Sequence, residues 1–398
     1  MKTASKRWLL AFGVSTLLTA GAISGALAQE KKALTIGGSL GLTGQFARMG
    51  EETGRAFNIW KEEINARGGL MGRPVEIKVY DDQSDPTTSA KLYERLVVQD
   101  KVELVYSPYA SSIAEAASAV TEKYKVPMVA QGASAQRIWE RGFKYIFQIY
   151  PKPEGQLIGM LDIAKKAGIK SIAIASEDTT FPKELALIFQ KLAKERGFEV
   201  VFYEEYGKSP PDLSPLILKM KAKNPDMIFG SAYLPECVLM MRHAKELNFN
   251  PKLYGFTIGP ALDDWPKTLG NDGDLVTGVS LWESTSKNPG AQEFVAKYKA
   301  RYKDLPPYQT AAAYAGMQIL EAAVKKAGSF DKEMIRDALQ NLEMNTIFGP
   351  YKVDTKGSQE AKRAYVFQVQ KGVRKVVWPD DSKEAELIFP TPPWGTPR

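Results

Sequence analysis

The chain has 398 residues, of which 44% are hydrophobic and 25% are charged, a profile typical of a globular protein long enough for two domains. Its formal charge of +7 comes without a Lys/Arg block, which argues against nucleic acid as a partner. A single cysteine and a single histidine exclude a disulfide within the chain and most histidine-based metal clusters, and we predict neither a metal nor a cofactor.

The first predicted element is a cleaved secretory signal at residues 1–28. Lys2, Lys6 and Arg7 precede an apolar stretch that ends in the small-residue cleavage pattern "ALA" at 26–28. Loss of these three cations leaves a formal charge of +4. No later stretch is long and apolar enough to span a membrane. The residue directly after the signal is not a cysteine, so no thiol is there to carry an N-terminal lipid. We therefore expect a soluble protein of the periplasm.

Strand-like and helix-like segments then alternate along the chain. The first series consists of strand Leu34–Gly38, helix Ala47–Arg67, strand Val75–Tyr80, helix Pro86–Gln99, strand Val102–Tyr106, helix Ser111–Tyr124 and strand Val126–Ala130. After a break at Pro151 and Pro153, the second series consists of helix Glu154–Ala167, strand Ser171–Ala175, helix Pro182–Arg196, strand Phe198–Tyr203, helix Asp212–Lys223, strand Met227–Gly230, helix Pro235–Asn248 and strand Lys252–Phe256. The last predicted elements are helices Pro289–Arg301, Tyr308–Lys326 and Asp331–Leu342 and two strand-like stretches before a Pro-rich tail, 389–398, which we expect to be loosely ordered.

This order predicts the fold class. Repeated β-α-β units form right-handed crossovers and a largely parallel sheet covered by helices on both faces. One such sheet takes roughly 120–150 residues, and the pattern occurs about twice here. The prediction is therefore an α/β protein with two doubly wound parallel-sheet lobes, divided near Tyr150. The elements after Gly278 could complete either lobe, so each lobe could be discontinuous.

Two polar stretches of the first series lie where ligand sites often lie. The glycine-rich stretch at 37–50 follows a strand as nucleotide-binding loops do, but it has neither a G-x-G core nor G-K-[ST]. We favour a glycine-rich turn, which either lets the backbone approach a ligand or only changes the direction of the chain. Asp81, Asp82 and Asp85 cluster like metal ligands, without the glycine and glutamate of a calcium loop. A strand end followed by a helix N-cap is the favoured interpretation.

The stretch "SPYASS" at 107–112 places Ser111 and Ser112 where a strand-like run meets a helix. A serine there could be a nucleophile, part of a phosphate cradle, a carboxylate clamp or a helix cap. No G-x-S-x-G elbow is present, and the required base would be His243, whose helical pattern indicates a surface residue. Cys237, on the same helix, is interpreted as a buried small residue. We therefore predict a protein that is not an enzyme.

Several stretches, in this order, resemble type I periplasmic binding proteins. They are "LTGQFARMGEETGRAFNIWKEEINARGGLMGRPVEIKVYDDQSDPTTSAKL", "VYSPYASSIAEAASAVTEKYKVPMVAQGASA", "FGSAYLPE" and "YQTAAAYAGMQIL". The group that this chain resembles most is the leucine/isoleucine/valine-binding family, which delivers solutes to ABC importers. The resemblance implies two lobes joined by a three-crossover hinge and closing on one small solute. The implied limits are 29–149 plus 283–346 for lobe 1 and 150–282 plus 347–398 for lobe 2.

The resemblance also implies a set of ligand-binding residues. The family's carboxylate-binding serine corresponds to Ser111, with Ser112 beside it. A second hydroxyl corresponds to Ser134, alongside the backbone of Gly132 and Ala133. The other implied positions, mostly aromatic residues against the body of the ligand, are Met49, Tyr109, Tyr150, Phe181, Tyr233 and Tyr308.

The chain departs from that family in two ways. Relatives that bind branched-chain amino acids have a disulfide whose positions correspond to Ser84 and Ala110. Those relatives also pair the ligand's ammonium with a glutamate, and Thr257 lies at or near that position. An ammonium buried without a carboxylate is costly, so either the ligand lacks an α-amino group or another acidic residue substitutes. The acidic residues in question are Glu177, Asp178, Asp263 and Asp264.

The resemblance predicts a monomer that hands its ligand to an ABC permease in the inner membrane. The ligand would be a branched-chain or other hydrophobic amino acid, or an aromatic acid. One alternative is a sensor of the same fold, such as an amide-responsive binding protein, which passes its ligand state to a partner protein. A secreted serine hydrolase is a further and less favoured alternative.

Overall fold

The computed structural model describes residues 32–396, so the signal predicted at 1–28 lies outside the described residues. Its first α/β series consists of β1 (Leu34–Leu40), α1 (Ala47–Ala66), β2 (Val75–Asp81), α2 (Pro86–Val98), β3 (Leu104–Tyr106), α3 (Ser111–Lys123), β4 (Met128–Ala130), a 3-10 helix (Gln136–Arg141) and β5 (Ile146–Gln148). The five strands pair in parallel in the order β2-β1-β3-β4-β5. The order reverses between β1 and β3, and open α/β sheets bind ligands beyond the carboxyl ends of the strands at such a point.

Local sequence explains where the helices of this lobe lie. On α1, Phe57, Trp60 and Ile64 recur at helical spacing, and all three are buried. Helix α2 begins after Asp85, whose carboxylate accepts a hydrogen bond from the Thr88 amide at 2.7 Å and so caps the helix. Helix α3 begins at Ser111, close behind the end of β3. The start of α3 therefore lies at the carboxyl edge of the sheet.

The second α/β series consists of α4 (Pro153–Lys166), β6 (Ser171–Glu177), α5 (Thr180–Glu195), β7 (Glu199–Tyr206), α6 (Ser214–Ala222), β8 (Met227–Ser231), α7 (Leu234–Glu246), β9 (Leu253–Phe256), α8 (Asp264–Leu269) and β10 (Thr277–Ser280). Strands β6 to β10 pair in parallel in the order β10-β9-β8-β6-β7. The strand order of this sheet reverses between β6 and β8, which gives the second lobe its own switch point.

The remaining elements are shared between the two lobes. They are α9 (Ala291–Tyr302), α10 (Tyr308–Ala327), α11 (Lys332–Gln340), β11 (Met344–Thr346), β12 (Gly349–Tyr351), β13 (Tyr365–Gln370) and β14 (Val373–Trp378). Helix α9 packs on α1 of lobe 1, where Lys297 pairs with Glu63 at 2.6 Å and Arg301 with Glu62 at 2.7 Å. Strands β13 and β14 extend the second sheet in antiparallel fashion, beginning at β10.

The chain passes between the two sheets three times: between β5 and α4, between β10 and α9, and between β12 and β13. The predicted fold class is confirmed: two doubly wound α/β lobes are joined by a three-crossover hinge. The antiparallel β13–β14 pair is an addition at one edge of the larger sheet. The individual lobe limits at 149, 282 and 346 stay predictions.

The expectation of a loosely ordered Pro-rich tail is wrong for the part of the tail that the structure describes. The Thr391 amide donates to the Lys252 carbonyl at 2.9 Å, and the Trp394 indole donates to the Phe249 carbonyl at 2.8 Å. The Trp394 ring also packs edge-on against Tyr254, with 6.1 Å between centroids. Backbone and aromatic contacts together hold this segment, whose prolines form no regular element. None of the helices within 32–396 is both long and apolar enough to cross a membrane.

Candidate functional site

Two loops of lobe 1, which follow β3 and β4, are tied together by the Ser111 side chain. Its hydroxyl oxygen accepts hydrogen bonds from the backbone amides of Ser134 at 3.1 Å and Ala135 at 3.2 Å. Gly132 allows the close approach of these loops, since a Cβ at this position would lie 2.6 Å from the Pro108 carbonyl oxygen. The result is a fixed platform at the carboxyl edge of the first sheet.

A small cavity of about 10 Å³, roughly the room that one water molecule needs, lies between this platform and the second lobe. Its walls come from both lobes and from the crossing segment at Tyr150. The lining residues are Tyr109, Ala110, Ser111, Gly132, Ser134, Tyr150, Phe181, Tyr233, Ile258 and Leu281. All of them are buried, so the cleft is closed over the cavity.

Aromatic contacts close the cleft. Tyr233, at the start of α7 in lobe 2, packs edge-on against Phe46 of lobe 1, with 5.0 Å between ring centroids. Tyr109 of lobe 1 lies 6.4 Å from the same Tyr233 ring. Phe181 of α5 lies 6.0 Å from Tyr233 on the lobe 2 side. The cavity is therefore covered by rings that face one another across the lobes.

Some of the residues that line the cavity have hydroxyl groups with unused hydrogen-bonding capacity. The Ser134 and Tyr150 hydroxyls are buried and have no hydrogen-bond partner among residues 32–396. The Ser111 oxygen already accepts two amide bonds, which leaves its hydroxyl proton free to donate. Burial raises the pKa of Tyr150 well above its ordinary value, so this phenol stays a protonated donor. Three hydroxyl donors without an acceptor among the described residues therefore line the cavity.

The predicted site residues fall into two groups. Those that line the cavity are Tyr109, Ser111, Gly132, Ser134, Tyr150, Phe181 and Tyr233. Tyr308 borders it, since its hydroxyl lies 3.2 Å from that of Tyr109 and its ring 6.0 Å from that of Tyr150. Ala133 joins Gly132 to Ser134 in the platform.

Three predicted residues lie elsewhere. Met49 faces a separate small pocket beside Arg48. Ser112 faces an open groove outside the cavity, one residue along α3 from Ser111. The Thr257 hydroxyl donates to the Ala232 carbonyl at 2.9 Å and accepts from the Ala232 amide at 3.1 Å. It thereby joins the segments that follow β8 and β9.

Sequence reasoning missed Ala110, Ile258 and Leu281 as lining residues. Ile258 and Leu281 follow β9 and β10 directly, where the carboxyl ends of parallel strands meet. The rule that places ligands at these ends could have found both. Strand β10 has only four residues and was not among the predicted strands, so the signal for Leu281 was weak.

None of the residues that line the cavity is acidic, and most nearby carboxylates are engaged. Asp263 pairs with Arg374 at 2.6 Å, and Asp178 pairs with Lys183 at 2.9 Å. Asp264 lies 3.6 Å from Arg48, across the cleft. Of the acidic residues that could replace the family's glutamate, these three are held by cations.

The fourth acidic residue, Glu177, forms a buried carboxyl pair with Glu236 of α7. The Thr179 hydroxyl donates to one oxygen of Glu177 at 2.7 Å, while the second oxygen of Glu177 and one of Glu236 have no partner within 32–396. Burial, reinforced by the neighbouring Glu177 charge, raises the pKa of Glu236 to about 7. Burial also raises the pKa of Glu177, although Thr179 and Lys208 oppose this. Two adjacent buried carboxyls avoid both being charged, so the pair holds a proton near neutral pH.

The other motifs of the sequence have structural contacts. Asp82 accepts a hydrogen bond from Ser39 at 2.7 Å, and Asp85 caps α2. Ser84 accepts a bond from the Phe46 amide at 3.0 Å. His243 accepts from the Leu213 amide at 3.2 Å. No group of three or more potential metal-ligating side chains occurs in the described part of the chain.

Comparisons with known proteins agree with this geometry. The "Leu/Ile/Val-binding protein homolog 7" of Brucella suis biovar 1 (strain 1330) is 27% identical over 97% of this chain and 100% of its own length. The branched-chain amino acid transporter substrate-binding protein LivJ of Streptococcus pneumoniae, solved with isoleucine, has a TM-score of 0.79 at 22% identity and covers 90% of this chain and 100% of its own. An ABC transporter solute-binding protein of R. palustris, solved with benzoate, has a TM-score of 0.78 at 19% identity, with coverages of 89% and 100%. The family model described as "Periplasmic binding protein" matches residues 33–374, and the chain therefore belongs to the periplasmic binding protein family.

Proposed function

We propose that this protein captures a small carboxylate with an apolar body for an ABC importer. The observation that carries the proposal is the pair of buried hydroxyls, Ser134 and Tyr150, without a hydrogen-bond partner among residues 32–396. A buried polar group without a partner costs roughly 1–3 kcal/mol. A ligand oxygen between these hydroxyls and Ser111 would satisfy all three.

The start of α3 supports a negatively charged group on the ligand. The amides of a first helical turn have no partner within the helix, and the helix dipole favours an anion there. Helix α3 has 13 residues and begins at Ser111, which lines the cavity. Ser111 would donate its proton to the carboxylate while its oxygen keeps the amides of Ser134 and Ala135.

The opposite walls of the cavity favour a ligand without an α-amino group. Phe181, Ile258 and Leu281 are apolar, and no residue that lines the cavity carries a negative charge. Thr257 bonds both backbone groups of Ala232, and it has no negative charge to pair with an ammonium. A buried ammonium without an acceptor would be costly. Of the two structural relatives, the one solved with benzoate has a ligand of the favoured kind.

An amino-acid ligand is the second candidate, and Glu177 is the observation behind it. One oxygen of this buried carboxyl has no partner within 32–396, and its charge acts on Tyr233 in the cavity wall. The relative solved with isoleucine has a ligand of this kind.

Calorimetric titration with benzoate and with isoleucine tests the proposal and separates the two ligand classes. We expect benzoate to bind and isoleucine to bind more weakly or not at all. Ser134→Ala and Tyr150→Phe should each weaken binding about ten- to a hundredfold, because each removes a hydrogen bond to a charged group. Ser112→Ala, on the groove outside the cavity, is the matched control and should change affinity by less than about twofold. Tight isoleucine binding lost in Glu177→Gln would establish the amino-acid class instead, and unchanged affinity in Ser134→Ala would overturn the carboxylate end.

A further inference from the structure

Four consecutive backbone amides, those of residues 134–137, are divided between the two lobes. The amides of Ser134 and Ala135 donate to Ser111 of lobe 1, as described above. The next two amides, of Gln136 and Arg137, donate to the carboxylate of Glu184, the second at 3.3 Å. Glu184 belongs to α5 of lobe 2. One short run of backbone is thus bonded to the platform serine and to the opposite lobe.

The Arg137 side chain makes a second bridge at the same place. Its guanidinium donates to Glu115 of α3 at 2.5 and 3.1 Å, and to the Thr180 hydroxyl of α5 at 3.2 Å. Lobe 1 and lobe 2 are therefore joined through both the backbone and the side chain of one residue. Glu184 is half-buried, and its burial raises the pKa of its carboxyl, which the two amide bonds and the Arg137 charge oppose.

Glu184 does not line the cavity; it faces the open groove beside it. Any effect of Glu184 on a ligand must therefore pass through the residues that it holds. The nearest of these in the chain is Ser134, two positions before Gln136. Ser134 and Gln136 lie in one short segment whose amides are all hydrogen-bonded. A bond that fixes the Gln136 backbone therefore also limits the movement of Ser134.

We propose that Glu184 is a positioning residue, which latches the closed cleft and fixes the Ser134 hydroxyl through the backbone of residues 134–137. The effect on ligand binding rests on the proposed function. The latch itself rests on the hydrogen bonds of Gln136 and Arg137 to lobe 2. Bonds from amides to a carboxylate are stronger than those between neutral groups. They exist only when both lobes meet, so they favour the closed state that the ligand also favours. Opening the cleft would release two of the four amides to water.

Three variants test the latch. Glu184→Ala removes both acceptor oxygens, and Glu184→Gln keeps one of them without the charge. Glu195→Gln, an exposed glutamate at the end of the same helix that lies 3.9 Å from Lys191, is the matched control. Amide hydrogen exchange of the segment 131–141, measured both without ligand and with the bound probe, reports the latch directly. Titration with benzoate and with isoleucine reports its effect on binding.

We expect faster exchange at residues 136 and 137 in Glu184→Ala, with an intermediate rate in Glu184→Gln and wild-type exchange in Glu195→Gln. The dissociation constant of the probe that wild type binds should rise about ten- to a hundredfold in Glu184→Ala, and less in Glu184→Gln. The thermal midpoint of the ligand-free protein should stay within a few degrees of wild type, because a latch between lobes adds little to the core of either. A merely structural role would lower that midpoint together with affinity.

Two results would overturn the latch. One is wild-type exchange of residues 136 and 137 in Glu184→Ala. The other is loss of affinity in Glu184→Ala matched by an equal loss in Glu195→Gln or by a large fall of the ligand-free midpoint. If wild type binds neither probe, the proposed ligand class fails, and the exchange measurement alone decides the latch.

Discussion

Ser111 holds Ser134 through the main chain: its hydroxyl oxygen accepts the Ser134 amide at 3.1 Å, and the following amide of Ala135 at 3.2 Å. This one side chain therefore connects the start of α3 with the loop after β4. A helix-capping serine would bond only amides of its own helix. Here the same oxygen fixes a second loop and leaves its proton for the cavity.

Replacing Ser111 by alanine should cost both stability and affinity. Two buried amides would lose their acceptor, so we expect the free energy of unfolding to fall by about 1–3 kcal/mol. Urea denaturation of the ligand-free protein measures this loss. Ser112→Ala should stay within about 0.5 kcal/mol of wild type, because that side chain faces the open groove. Equal stability of the two variants would contradict the role assigned to Ser111.

Thr257 should matter for folding and not for ligand affinity. Thr257→Val removes the hydroxyl that bonds both backbone groups of Ala232, and we expect a loss of about 1–3 kcal/mol in stability. Thr257→Ser keeps the hydroxyl and should remain closer to wild type. Affinity for the ligand, measured by titration below the unfolding temperature, should change by less than about threefold in both variants. A large affinity loss in Thr257→Val, with affinity retained in Thr257→Ser, would place this hydroxyl in the ligand site after all.

Gly132 should tolerate no side chain. A Cβ at this position would lie 2.6 Å from the Pro108 carbonyl oxygen and 3.0 Å from the Tyr109 Cα, both of them backbone atoms that cannot rotate away. We expect Gly132→Ala to push the two loops apart, with a loss of about 1–3 kcal/mol in stability and weaker ligand binding. Gly207→Ala is the control, because nothing lies within 4 Å of a Cβ there. Thermal unfolding and titration of both variants give the comparison.

The Glu177–Glu236 pair should make stability depend on pH. The pKa of Glu236 rises from the ordinary 4.5 to about 7 in the folded protein, so folding favours its protonated form. The stabilisation from this group is complete below pH 4.5, declines as the pH rises toward 7 and is absent above that value. Glu236→Gln imitates the protonated form, and we expect it to stabilise the protein by roughly 1–3 kcal/mol at pH 8 relative to its effect at pH 5.

Urea denaturation at the two pH values measures this difference. Glu195→Gln, on an exposed position of α5, is the control and should change stability by less than about 0.5 kcal/mol at either pH. A Glu236→Gln variant with the same effect at pH 5 and pH 8 would show that the pair holds no proton in the folded state.

Much of the fold follows from hydrophobic periodicity. Long elements such as α1 and α10 were predicted within one or two residues of their ends, because many periodic positions define each of them. Strands β5 and β10 have three and four residues and were not predicted. Strands β3 and β4 have three residues each but lie within longer strand-like runs, and both were predicted. The contacts of Trp394 that order the tail could not be predicted either, because a single aromatic residue produces no periodic pattern in the sequence.

The site was predictable to the extent that strand ends position it. Ser111, Ser134 and Tyr233 each follow a strand of a parallel sheet, and the sequence places them there. The direction of a side chain is a different matter. Ser111 and Ser112 are neighbours in sequence, but successive residues of a helix point about 100° apart, so one faces the cavity and the other the groove. Thr257 and Ile258 are also neighbours with different surroundings. Thr257 bonds the backbone of Ala232, whereas Ile258 lines the cavity.

The hold of Ser111 on its partner loop has a consequence for redesign of the protein. Because it acts on main-chain amides alone, it does not depend on which side chains follow in that loop. Variation at Phe181, Ile258 and Leu281, on the facing walls, would leave this hold intact. On the proposed function, a library randomised at these three positions would change the shape of the cavity walls and leave the bonds between Ser111 and this loop unaltered.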